Sequence, residues 1–170
     1  MNNDMSSAQV TPRLQVVAYN VRSILNVGAL FRTADAVGAG RVWLTGFTPG
    51  PDIHPERIAK TALGSEAVVP WSRIDRLEDC IERLRREGIR IVALERTEGA
   101  VDYRAFQPVF PMALIVGNEV AGLPVASHNL FDEVVSIPMR GAKESLNVAI
   151  AFGIAAYEYT RKWDEKPTQE

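Results

Sequence analysis

The feature that most restricts the fold of this chain is a run near its carboxyl end. From Leu146 to Tyr159 only Asn147, Gly153 and Glu158 interrupt the apolar residues. A helix that is apolar nearly all round must be covered on more than one side. One face can pack on a sheet, but a chain of 170 residues has few further layers to supply. One solution is a central helix in the monomer's own core. A homodimer joined through the helix at 145–161 suits so short a chain better, and it is the expectation adopted.

The rest of the chain supplies the sheet. Short β-branched runs stand at Leu14–Tyr19, Arg41–Gly46, Ile89–Glu95, Ala113–Gly117 and Val134–Pro138. Helical patterns at Val27–Val37, Ile74–Glu87 and Ser145–Lys162 alternate with them. This alternation predicts an α/β fold, a mostly parallel, buried sheet flanked by helices. No linker, repeat or low-complexity segment interrupts it, so residues 1–170 read as one domain with flexible ends at 1–12 and 163–170. Asn26 and Ser145 are expected as N-caps, and Gly38 and Gly88 as C-terminal stops.

Hydrophobic residues at 46% and charged residues at 24% suit a soluble globular protein. A single cysteine, Cys80, permits no internal disulfide, and no run approaches the roughly 18 apolar residues of a membrane span. A cytoplasmic protein with no membrane partner is expected. His54 and His128 lie far apart without ligand-spaced neighbours, so no metal is expected. A net charge of −2 argues mildly against a nucleic-acid partner. Against that, Arg13, Arg22, Arg32, Arg41, Arg57 and Lys60 crowd into the first third of the chain.

Three segments gather polar residues whose spacing capping alone does not demand. They are Asn20-x5-Asn26-x-Gly28-x3-Arg32, Gly117-Asn118-Glu119-x2-Gly122-Leu123, and Ser145-Leu146-Asn147. Glycines in the second allow close approach of a ligand to backbone. In α/β folds, ligands sit in loops at the carboxyl ends of the strands. Here those loops follow Leu94, span Gly117–Leu123, and run from Pro138 to Leu146. The Gly-x-Gly-x-x-Gly fingerprint is absent after any strand, which counts against a nicotinamide-dependent oxidoreductase. Arg32 is either a solvated arginine on an amphipathic helix or a cation that meets a phosphate.

In this order and at these separations, the three segments resemble the motifs of the SpoU-type branch of the SPOUT methyltransferases, from about Arg13 to Arg161. The resemblance implies a deep C-terminal trefoil knot, a feature that general topology rules would not propose. It implies methyl transfer from S-adenosylmethionine to a ribose 2′-hydroxyl of RNA, with S-adenosylhomocysteine as product. Donor contacts would come from Leu94, Gly117, Ile137 and Leu146. Asn118, Gly122, Met139 and Ser145 would complete that pocket, with Glu119 and Asn147 as polar anchors. Arg32, Asn26, Ser145, Asn147 and Glu119 would form the catalytic set. Asn26 and Asn20 would hold Arg32 and the ribose, and Glu119 would pair with Arg32 or with a backbone donor.

Arg32 is described in this family as the base for the 2′-hydroxyl. Lowering an arginine pKa by about six units would cost roughly 8 kcal/mol, whereas orienting the ribose and stabilising developing charge ask less. Lys60-Thr61-Ala62-Leu63-Gly64 would contribute to an RNA face. Larger members carry added RNA-binding segments, and this arrangement reads as minimal. Transfer RNA is the expected substrate, with ribosomal RNA second. A knotted module that binds RNA or an adenosyl nucleotide without transferring a methyl group is the non-enzymatic alternative.

Overall fold

The computed structural model describes residues 14–165, so the expectation of a flexible 1–12 lies outside the described residues. Seven strands form one sheet. They are β1 (Leu14–Tyr19), β2 (Arg41–Thr45), β3 (Trp71–Ile74), β4 (Arg90–Leu94), β5 (Val101–Asp102), β6 (Met112–Val116) and β7 (Glu133–Ser136). Their order is β3-β2-β1-β6-β4-β7-β5, and each neighbouring pair is parallel. The helices are α1 (Ile24–Ala36), α2 (Pro55–Ala62), α3 (Ser65–Val68), α4 (Leu77–Arg86) and α5 (Val148–Asp164). The expected mostly parallel sheet with flanking helices is the architecture found.

Strand residues alternate between two cores. Leu14, Val16, Ala18, Val42 and Leu114 pack with α1, α2 and α5 on one face. Val17, Trp43, Ile91, Ala113 and Ile115 pack with Leu77, Cys80, Ile81 and Leu84 of α4 on the other. Burial on both faces is what near-continuous β-branched runs demand of a parallel sheet. Cys80 belongs to that second core, where burial pushes its thiol up to about 12.

Several boundaries differ from expectation. Ile74 closes an edge strand, Trp71–Ile74, rather than opening a helix, and the helix begins only at Leu77. Helix α2 escaped notice because only Ile58 and Ala62 of its eight residues are buried. The cap of α1 is Ser23, not Asn26, and the cap of α5 is Asn147, not Ser145. Gly38 and Gly88 do follow their helices in left-handed conformation, at φ +65° and +73°. The last helix also runs through Trp163, whose ring meets Phe110 edge-on at 5.0 Å, so 163–164 are not part of a flexible end.

The outer face of α5 is the exception to burial. Phe152, Ala155, Ala156 and Tyr159 are buried, while Ile150, Ile154 and Tyr157 form an exposed stripe at helical spacing.

Candidate active site at the carboxyl edge of the sheet

Because the strands are parallel, the loops that leave β1, β2, β6, β4 and β7 all emerge at one edge. Between those after β4, β6 and β7 lies a cleft. Leu94, Gly117, Asn118, Glu119, Gly122, Ile137, Met139, Ser145 and Leu146 line it, together with Glu95, Arg96, Ser136 and Glu144. Its apolar wall continues through Val116, Val148 and Ala151. Asn26, Arg32 and Asn147 are not in the lining.

The loop after β6 is folded around Asn118. Its backbone exchanges hydrogen bonds with Gly122, at 3.2 and 2.9 Å. Its Oδ1 accepts from the N–H groups of Val120 and Ala121, both at 2.9 Å, and its Nδ2 donates to the Asn20 carbonyl at 2.8 Å. A Cβ on Gly117 would lie 2.6 Å from the Gly122 carbonyl carbon, so only glycine permits this crossing of backbones. Glu95 fastens the far end, accepting from Leu123 N at 2.8 Å. Glu95 was missed in the sequence; its one signal is its place immediately after the strand that ends at Leu94.

A chain of side-chain bonds joins all three segments. Asn147 Nδ2 donates to Asn26 Oδ1 at 2.9 Å, and Asn26 Nδ2 donates to Glu119 Oε1 at 2.8 Å. Only the amide nitrogen can serve a carboxylate, so the bond to Glu119 sets which way Asn26 faces. Glu119 also accepts from the N–H groups of Arg22 and Ser23, at 3.1 and 3.2 Å. Partial burial pushes this carboxyl up, but the bonds from Arg22, Asn26 and Ser23 outweigh it and hold the pKa below the ordinary glutamate value. Asn147 meanwhile caps α5, accepting from Ala149 N and Ile150 N.

These bonds revise several expectations. Asn26 is turned toward Glu119 and Asn147 rather than Arg32. Of the two partners expected for Glu119, the backbone donors are found. Asn20, at φ +50°, turns its Oδ1 to the N–H of Phe47 at 2.8 Å instead of toward Arg32. Arg32 lies exposed on α1, apart from this chain of bonds, and Ser145 is exposed at the cleft.

The loop from β7 to α5 is bonded sparsely. Among the described residues, no backbone N–H from Met139 to Asn147 donates a hydrogen bond. Its outer anchor is Arg96, which donates to the Glu144 carbonyl at 2.9 Å.

Charge is sorted over the surface. Arginines of α4 are paired with Glu87, Asp132 and Glu82, and Arg161 of α5 with Glu158 and Glu165. Among the described residues, the side chains of Arg22, Arg32, Arg57, Lys60, Arg140 and Lys143 make no hydrogen bond or ion pair, and neither does Arg90 on the opposite edge. The net charge of −2 thus conceals a set of free cations on α1, α2 and the site loops. Among the described residues, no helix is long and apolar enough to cross a membrane.

The sequence profile of the SpoU rRNA Methylase family matches residues 13–157. The chain belongs to this family. It is 32% identical to the tRNA (guanosine(18)-2′-O)-methyltransferase of Escherichia coli strain K12, over 91% of this chain and 66% of that protein. The AdoMet-bound rRNA methyltransferase of Sinorhizobium meliloti superposes with a TM-score of 0.80 at 37% identity, covering 87% of this chain and 56% of that one. A structure solved for 2-OH methylation of C/U34 on tRNA has a TM-score of 0.77 at 28% identity, covering 90% of this chain and 97% of that one. The chain therefore spans just under two thirds of the Escherichia coli relative and nearly the whole of the last.

Proposed function

We propose that this SpoU-family chain transfers a methyl group from S-adenosylmethionine to a ribose 2′-hydroxyl of RNA. The observation that carries the reading is the bonded chain Asn147–Asn26–Glu119, which ties the three segments together at the rim of the cleft. The cleft has the features the donor needs. Leu94, Val116, Ile137 and Leu146 offer apolar walls, and the unbonded N–H groups of 139–147 offer main-chain donors. The donor supplies an electrophilic methyl group, and the chain's task is to orient and enclose. Gly117 and Gly122 let the loop after β6 cross itself and seat against Glu95, which keeps it in place.

Transfer RNA is the first substrate proposed, because the Escherichia coli relative and the C/U34 structure both concern tRNA. Ribosomal RNA is the alternative, favoured by the Sinorhizobium meliloti structure. The path between β4, β6, β7 and α5 is read as a trefoil knot, and 1–170 as one catalytic domain. Arg32 lies outside its own chain's cleft, and the stripe Ile150–Ile154–Tyr157 is uncovered. Pairing of two copies through α5 would cover the stripe and would let α1 of one copy complete the site of the other. Arg32 would then orient the ribose and stabilise the alkoxide as it forms.

The test is to incubate the protein with methyl-labelled S-adenosylmethionine and total RNA from a strain lacking its gene. Label recovered in alkali-resistant, 2′-O-methylated dinucleotides from the tRNA band is the expected result. The same label in ribosomal RNA would keep the chemistry and change the substrate. No label from folded protein would contradict the reading and leave the non-catalytic module.

A further inference from the structure

The loop after β2 inverts the usual order of exposure. Thr48, a polar residue, is wholly buried at 0%, while Phe47 beside it is 89% exposed. Pro49 and Gly50 are buried too, so this stretch is tucked into the molecule except at the ring. Nor is it loosely held. Thr48 Oγ1 accepts from Val21 N at 3.1 Å and donates to the Ala18 carbonyl at 2.9 Å. Arg73 donates to the Thr48 carbonyl at 2.9 Å and grips Asp52 with two further bonds. Asn20 holds the Phe47 N–H itself. A single exposed apolar residue ordinarily needs no explanation. A ring fixed outward by this much buried scaffolding does.

Its position narrows the explanation. The Asn20 that holds Phe47 also accepts from Asn118, so the ring stands one bonded residue away from the loop that walls the cleft. The elements on either side carry unpaired cations: Arg22 in the turn before α1, and Arg57 and Lys60 on α2. Helix α2 packs on the first turns of α1, where a Cβ on Gly28 would overlap Thr61. A flat apolar ring, on a loop that leads into α2 and is bonded to the segment carrying Arg22, joined to unpaired cations on both, is the composition that binds unpaired bases of a nucleic acid, the ring by stacking and the cations at phosphates. Ile53 in the same loop is exposed as well, and it is the unpaired cations that favour RNA over a protein partner.

Resting on the methyltransferase reading, we infer that Phe47 is a stacking platform for an unpaired base near the ribose that is methylated. Arg22, Arg57 and Lys60 take the adjoining phosphates. The platform selects looped or single-stranded RNA over duplex, because only an unstacked base can lie on the ring.

The test compares wild type with Phe47→Ala, Phe47→Leu and Phe47→Trp. Initial rates are measured against the small-RNA and ribosomal-RNA fractions of a strain lacking the gene, and donor affinity by calorimetry. KM for the accepting fraction is expected to rise about tenfold in the Ala and Leu variants and to recover in Trp. Donor affinity and melting temperature are expected to stay at wild-type values, because the ring is outside both the cleft lining and the core. An unchanged KM in Phe47→Ala overturns the platform while leaving the methyltransferase reading intact. So does a Leu variant as good as wild type, or a rate loss that tracks dissociation of a dimer in sedimentation. Wild-type protein that neither methylates nor binds either fraction overturns both.

Discussion

The loop after β2 and the loop between β7 and α5 leave the same edge of the sheet and are built on opposite plans. Residues 46–54 are held from below by Thr48, Asn20 and the Arg73–Asp52 pair. Residues 139–147 donate no backbone hydrogen bond among the described residues and rely on Arg96 and Asn147 for anchorage. The first needs nothing more to keep its shape. The second holds main-chain donors that no protein group uses, and a ligand that replaces water on them can order the loop. On the proposed reading, the contrast is a division of labour: the RNA side is formed before binding, whereas the donor side is completed by it. Asn26 is the joint between the loop after β6 and the start of α5, bonded to Glu119 on one hand and Asn147 on the other.

The largest effect should follow from breaking that joint. In Asn26→Asp, a carboxylate would face the Glu119 carboxylate where an amide now donates to it. Methyl transfer should fall about a hundredfold or more, since small misplacements at a transfer site are that costly; initial rates with labelled donor check this. Next comes the donor side alone. Gly117→Ala would drive a Cβ to 2.6 Å from backbone that cannot rotate away. A stability loss of about 1–3 kcal/mol is expected, with donor affinity in calorimetry falling at least about tenfold.

The RNA side can be broken separately. Thr48→Val would leave the Val21 N–H buried without its acceptor. A loss of about 1–3 kcal/mol in denaturant unfolding is expected, with donor affinity unchanged. Equal damage to donor binding by Thr48→Val and Gly117→Ala would dissolve the contrast.

The smallest effect concerns pH. The folded-state pKa of Glu119 is depressed below the ordinary glutamate value of 4.5, so its stabilising share is present above that value and lost as pH falls through the folded pKa. The melting-temperature gap between wild type and Glu119→Gln should be full at pH 7 and close below about pH 4.5. A gap that widens on acidification would contradict the bonding assigned to this carboxylate.

Local pattern made the interior legible and the site only in part. The β-branched runs marked five of the strands, because burial on both faces demands them. Two strands stayed hidden: Trp71–Ile74 lies at an edge with every residue half-buried, and Val101–Asp102 is two residues long. Both caps were misplaced. Ser23, Asn26, Ser145 and Asn147 are all good capping residues, and residue type alone does not choose among them. Asn26 is engaged by Glu119, 93 positions away, and so is not left to cap its own helix. The exposure of Phe47 had no local signal, since a lone phenylalanine among prolines and glycines reads as core as easily as surface.

Hydrogen–deuterium exchange on the two loops tests the division of labour most directly. S-adenosylhomocysteine alone should protect amides within 139–147 and leave 46–54 unchanged. Protection of 46–54 by the donor product, or no change in 139–147 at saturating ligand, would contradict it.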